Sequence, residues 1–160
     1  MQPIPQDNIA NGTDLSNADF LFTTRGSQAS LASLHPSVHE AGILWTTFLD
    51  NVEPLLKILH VPSFEKEMHV AARNVGSISA DLEALMFAIY TLSVMSMPLE
   101  DCEKVFGVAK PILFARFESA VRQAFVKANI LVSTDFRLVQ AYMIWLVCIS
   151  KSLHKRADFI

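Results

Sequence analysis

The sequence predicts an all-α fold, an antiparallel bundle of about five to six helices, and three observations carry that expectation. Glycine is scarce, five in 160 residues, and the chain is rich in runs of Ala, Leu, Met and Phe, which favour helix over sheet. Apolar residues recur at steps of three and four along most of the chain, the period of a helix face. Half the residues, 51%, are hydrophobic and only 18% are charged, enough apolar matter for the core of one domain with a tail. No strand alternation and no convincing internal repeat is visible.

Three segments follow from composition. Residues 1–34 read as a linker or disordered arm, rich in Asn, Asp, Ser and Thr, with charges Asp7, Asp14, Asp19 and Arg25 and no sustained period. Phe20-Leu21-Phe22 is its apolar exception, read as a triplet that packs loosely on the domain rather than as a docking motif. Residues 35–150 read as the helical domain and residues 151–160 as a basic tail.

The helices are legible in order. His35-Pro36-Ser37 opens the first, with Pro36 placed in its first turn. Ala41, Leu44, Trp45, Phe48, Leu49 and Val52 then share one face. Pro54 interrupts the run. Ser63 is the expected N-cap of a second helix that ends at Asn74-Val75-Gly76. Ser79 to Asp81 caps a third, from Leu82 to Met95, that is apolar on every side and so belongs at the centre of a bundle. Pro98 stops it. A short amphipathic piece from Leu99 is closed by Gly107. A long helix follows from about Ala109, with Phe114, Phe117, Val121, Ala124, Phe125 and Ala128 inward. Arg116, Glu118, Arg122, Gln123 and Lys127 face water, with Glu118 and Arg122 paired at i,i+4. Asn129 ends it. Thr134-Asp135 begins the last helix, whose apolar run over residues 138–149 is shorter than a membrane span needs and reads as a buried helix. The short connectors set neighbours antiparallel.

No reactive constellation emerges, and the sequence assigns no catalytic, cofactor-binding or metal-binding residue. Gly12, Gly26, Gly42, Gly76 and Gly107 are isolated, so no phosphate-cradling loop exists. His35 and His39 have the i,i+4 spacing of two metal ligands, but His35 precedes Pro36 and falls outside the helix, and no third ligand is evident. His60 sits in a turn, where it is expected to hydrogen-bond a helix end. Glu100, Asp101 and Glu103 cluster at a helix start, the usual surface arrangement for acids. The aromatic residues Trp45, Phe87, Tyr90, Phe114, Phe117, Phe125, Tyr142 and Trp145 read as core rather than as a ligand cavity, although Tyr and Trp tips need partners when buried. Cys102 and Cys148 have neither metal spacing nor the numbers for a disulfide framework and read as reduced thiols. Residues 1–11 hold no secretory signal, which leaves the sequon Asn11-Gly12-Thr13 without meaning. The net charge of −3 argues against direct nucleic-acid binding, and the cations Lys151, Lys155 and Arg156 read as solvated.

The order of motifs resembles a known family. Residues 44–64, LWTTFLDNVEPLLKILHVPSF, are similar to the opening of the fungal-specific transcription factor domain, the middle homology region of the fungal zinc-cluster regulators. The carriers are an aromatic-rich helix, then Val52-Glu53-Pro54-Leu55, then Ile58-Leu59-His60-Val61-Pro62-Ser63-Phe64. Residues 78–90, and the Phe114 to Phe125 helix leading through Ala128-Asn129 to Leu138-Val139-Gln140-Ala141, extend the likeness over residues 36–150. The resemblance implies a nuclear, non-enzymatic transcription regulator domain that restrains or tunes activity, in response to metabolites, through protein–protein or ligand binding. It implies a homologous regulator or the transcription machinery as partner, homo- or hetero-oligomers, no cofactor, and no nucleic acid or membrane bound by this chain. The family's six-cysteine, two-zinc cluster has no counterpart here, where only two cysteines occur. The family continues with further helices after Gln140-Ala141, so the chain reads as the first part of a larger helical domain with apolar surface left uncovered. Two alternatives stand beside this reading: a small-molecule-sensing helical domain, and a truncated product without function.

Overall fold

The structure, a computed structural model, describes residues 30–157, with side chains through His154. The calls on the arm, on Phe20-Leu21-Phe22 and on Asn11-Gly12-Thr13 therefore lie outside the described residues, as do the side chains of Lys155 and Arg156. Among the described residues there are eight α-helices, one 3₁₀ turn at Val75–Ser77 and no strand, so the fold is all-α. The helices are α1 (Leu31–Leu34), α2 (Val38–Asn51), α3 (Glu53–Leu56), α4 (Val61–Arg73), α5 (Ala80–Ser96), α6 (Leu99–Phe106), α7 (Lys110–Lys127) and α8 (Phe136–Ala157). The single-turn helices α1 and α3 account for the excess over six.

Several boundaries differ from the sequence reading, each for a local reason. Pro36 precedes the first long helix rather than opening it. Ser37 is the N-cap and forms a capping box with Glu40: Glu40 N donates to Ser37 Oγ at 3.3 Å, and Ser37 N donates to Glu40 Oε2 at 2.7 Å. The Ser37 hydroxyl leads the effects that hold the Glu40 carboxyl below its usual range. Helix α4 starts two residues before Ser63, because Pro62 fits its first turn, with His60 as N-cap. Within the segment read as arm, Leu31–Leu34 is helical and is held by Arg116 Nη2 donating to Leu34 O at 3.2 Å. At the other end, 151–157 continue α8 and are not a separate tail. Nothing in that stretch breaks a helix: the residues are Lys, Ser, Leu, His, Lys, Arg and Ala.

Helix α5 is the axis of the bundle. Every residue from Leu82 to Val94 is buried, as expected of a helix apolar on all sides. Helices α2, α7 and α8 pack around it. Lys110, at the start of α7, donates to Met95 O at 2.8 Å and to Met97 O at the end of α5, while Lys127 at the end of α7 reaches Glu83 at the start of α5. Helix α7 therefore runs antiparallel to α5. Arg137 in the first turn of α8 pairs with Asp81 in the first turn of α5 at 3.5 Å, so α8 runs parallel to α5 and antiparallel to its chain neighbour α7. The connection from α6 into α7 turns on Gly107, whose φ of 63° is the left-handed cap position that glycine occupies without a Cβ clash.

The core aromatic residues form three groups. Phe87, Tyr90 and Phe117 meet between α5 and α7 with centroids 5.7–6.4 Å apart. Trp45 packs on Phe48 and Phe64 at 5.8 and 5.4 Å. Phe125 meets Tyr142 and Trp145 at 6.0 and 5.8 Å. Seven of the eight aromatic residues singled out by sequence meet another ring, Tyr142 among them from an exposed position, and Phe114 is half-buried against the core.

Candidate functional site

Helix α8 buries only one of its faces. Leu138, Ala141, Ile144 and Cys148 are in the core, and Gln140 Nε2 donates to Ile58 O at 2.7 Å. The opposite face carries Val139, Tyr142, Met143, Leu146 and Leu153, all exposed. The expectation of a buried helix is corrected here: high apolarity came from two faces, of which the bundle covers one. Val139, Tyr142, Leu146, Ile149 and Leu153 follow steps of three and four, the spacing of a helix–helix seam. The helix holds no acidic residue. By length and composition alone, residues Phe136–His154 match a membrane span, with mean hydropathy 1.2. Its buried face and the Gln140 bond attach this helix to the bundle.

A second feature is a groove of about 510 Å³ where the ends of α2, α5 and α8 meet α3 and the starts of α6 and α7. Phe114 lines it. A shallower hollow near Trp45 carries His39, Asp50, Glu65 and His69. Glu65 Oε1 there accepts from Trp45 Nε1 at 3.1 Å, which satisfies the buried indole.

The polar group buried deepest is Glu83, 1% exposed on the central helix. His35 Nε2 donates to its Oε1 at 3.3 Å and Lys127 Nζ to its Oε2 at 2.6 Å. The His35 ring lies on Phe87 with centroids 4.3 Å apart. Burial raises the carboxyl's pKa, but the His35 and Lys127 hydrogen bonds and their charges outweigh it, so Glu83 titrates below its usual range. Sequence reading passed over Glu83. The available signal was that a lone carboxylate in a helix apolar all round must be buried and therefore paired.

Tyr90 lies beside this cluster with its hydroxyl buried and without a hydrogen-bond partner among the described residues. Burial raises its pKa. Removing such a hydroxyl costs no bond and relieves a desolvated group, so Tyr90→Phe is expected to leave stability unchanged or raise it by up to about 1 kcal/mol. Urea unfolding measures this, and a loss above 1 kcal/mol would show that the hydroxyl has a partner.

The remaining singled-out residues do not converge. His35 is buried, whereas His39 is exposed. Among the described residues no group of three His, Cys, Asp or Glu side chains is placed to hold a metal. His60 is an exposed helix cap whose Nδ1 lies 2.8 Å from Ser63 Oγ. Glu100, Asp101 and Glu103 are exposed along α6. Glu118, expected on the wet face of α7, is buried at 8% exposure and paired with Arg122. Cys102 and Cys148 are free and buried, and burial pushes the Cys148 thiol up to about 12, far from the thiolate that reactivity requires.

These features define a class, a helical packing module with an uncovered helix face and an apolar groove. Comparison with known proteins then gives its relatives. The chain is 38% identical over 134 residues to the transcriptional regulator AacuB of Aspergillus aculeatus, covering 84% of this chain and 18% of that protein. It is 33% identical over 144 residues to the transcriptional regulator nsrM of Aspergillus novofumigatus, covering 90% and 20%. It is 32% identical over 106 residues to the C6 finger domain transcription factor nscR of Arthroderma gypseum, covering 65% and 15%. The chain is thus homologous to a segment of fungal transcription factors and spans about a fifth of the length of the first two. No protein-family profile and no solved structure matches it.

Proposed function

We propose that this chain is a regulatory segment of a fungal transcription regulator, the middle homology region named above, and that it acts by packing the outer face of α8 against a helix of a protein partner. The observation that carries this reading is the exposed seam Val139, Tyr142, Leu146 and Leu153, on a helix whose other face is core. Apolar stripes of that length on a folded surface mark places that another surface covers. The partner helix has an apolar stripe and acidic flanks, because α8 brings only Arg, Lys and His as charged groups. Homology to transcription factors supports the regulatory role, a nuclear location and the absence of enzymatic activity. In this reading the segment itself contacts protein and not DNA, and its partner is either a homologous regulator or the transcription machinery. Pairing with a full-length homologue would titrate it.

Co-precipitation with tagged full-length AacuB, and with a second copy of this chain, tests the proposal. Leu146→Glu places a charge in the seam without touching the core, so thermal unfolding should shift by no more than about 0.5 kcal/mol. Capture of AacuB or of the second copy should fall by about tenfold or more. Capture unaffected by Leu146→Glu, or none by the folded wild-type chain, would refute the α8 interface.

A further inference from the structure

The groove at the end of the bundle is a separate feature from the α8 seam, and it has the character of a small-molecule site. Its volume of about 510 Å³ lies within the range of ligand pockets, roughly 300–1,000 Å³. Its wall is mainly apolar, formed by Leu55, Leu56, Leu92, Met95, Phe114 and Val147 from four different helices. Asn51, Ser96 and Lys110 are among its polar lining. Asn51 Nδ2 donates to Ser96 Oγ at 3.2 Å, and Lys110 Nζ is anchored on the Met95 and Met97 carbonyls. The charged residues among those lining the groove are Lys110 and Lys151; among the described residues no carboxylate lines it. Lys151, on α8, is exposed and lines the same groove. An apolar hollow bordered by cations, with no anion among the described residues, is complementary to one kind of occupant.

We infer that this groove binds a small amphipathic organic acid, its apolar body against Leu56, Leu92 and Phe114 and its carboxylate at Lys151. Six helices meet there, so an occupant joins the ends of α2, α5 and α8 to α3 and the starts of α6 and α7. A ligand in that position stabilises the bundle by mass action. The inference does not depend on the α8 seam, which lies on the other face of that helix.

A matched pair of probes tests it: 2-naphthoate and the uncharged 2-naphthamide, of nearly equal shape. With methionine methyl groups isotope-labelled in the full chain, Met95 reports the groove and Met143 the α8 seam. Saturable movement of the Met95 signal with a stationary Met143 signal is expected, with naphthoate bound about fivefold more tightly than the amide, the scale of one exposed ion pair. Lys151→Ala, an exposed change that leaves the fold intact, should erase that difference. Leu56→Trp should fill the groove and abolish binding of both probes. Equal affinity of acid and amide, movement at Met143 instead of Met95, or no saturable movement in a folded sample would each overturn the inference. So would a Met95 signal that moves with protein concentration alone, since a second copy would then be the occupant.

Discussion

Phe87→Ala is expected to destabilise the bundle by about 3–5 kcal/mol, the range for emptying a fully enclosed aromatic site. Phe87 is 0% exposed in the middle of α5. Its ring touches three elements: His35 ahead of α2, Tyr90 on its own helix, and Phe117 on α7. Those neighbours are themselves wedged, so the site has little room to collapse and the cavity persists. A domain is held by only about 5–15 kcal/mol in total, so this one change removes a large share of it. Urea unfolding checks the figure: the midpoint should drop with an unchanged slope. A loss below 1 kcal/mol would mean that α5 is not the enclosed axis described here.

Glu83→Ala is the second large effect, expected at about 2–4 kcal/mol. The substitution leaves the buried His35 ring without its Nε2 partner and Lys127 without its anion. The Lys127 side chain is half exposed and turns to water at small cost, so most of the loss comes from His35 and the void. The pair also has a pH signature. Because the Glu83 carboxyl is held below its usual value in the folded chain, its contribution is fully present above the unfolded value of 4.5 and is lost as pH falls through the folded value. Glu40 is lowered as well and adds to the acid sensitivity of the wild type. The difference between wild type and Glu83→Gln isolates Glu83. It should be positive at neutral pH and shrink below about pH 4.5. Urea unfolding at pH 7, 5 and 3 reads it, and a constant difference would contradict the paired carboxylate.

Why some of this was legible in the sequence follows from which interactions are local. Helix α5 declared its position because apolar residues on all sides admit only a central place, and Pro98 and Gly107 fixed the ends that follow it. The first capping box and the early start of α4 were missed because Pro36 and Pro62 each fit more than one place near a helix start. The Glu83 partners were beyond reach, since His35 and Lys127 lie 48 and 44 residues away and meet it only through packing. Composition could not say which side of α8 the bundle covers, although the uncovered steps at Val139, Tyr142, Leu146 and Leu153 were present to be counted. The groove has no sequence signature, because it is assembled from the ends of separate helices.

The α8 seam is tested most directly by thiol labelling at position 146. The native Cys102 and Cys148 are fully buried, so a thiol introduced by Leu146→Cys is the reactive one. In the isolated chain it should label rapidly. Bound to full-length AacuB it should label at least about tenfold more slowly, while a thiol from Val132→Cys, exposed in the α7–α8 connection, keeps its rate. Equal labelling at 146 in free and bound chain would contradict the seam as the site of contact.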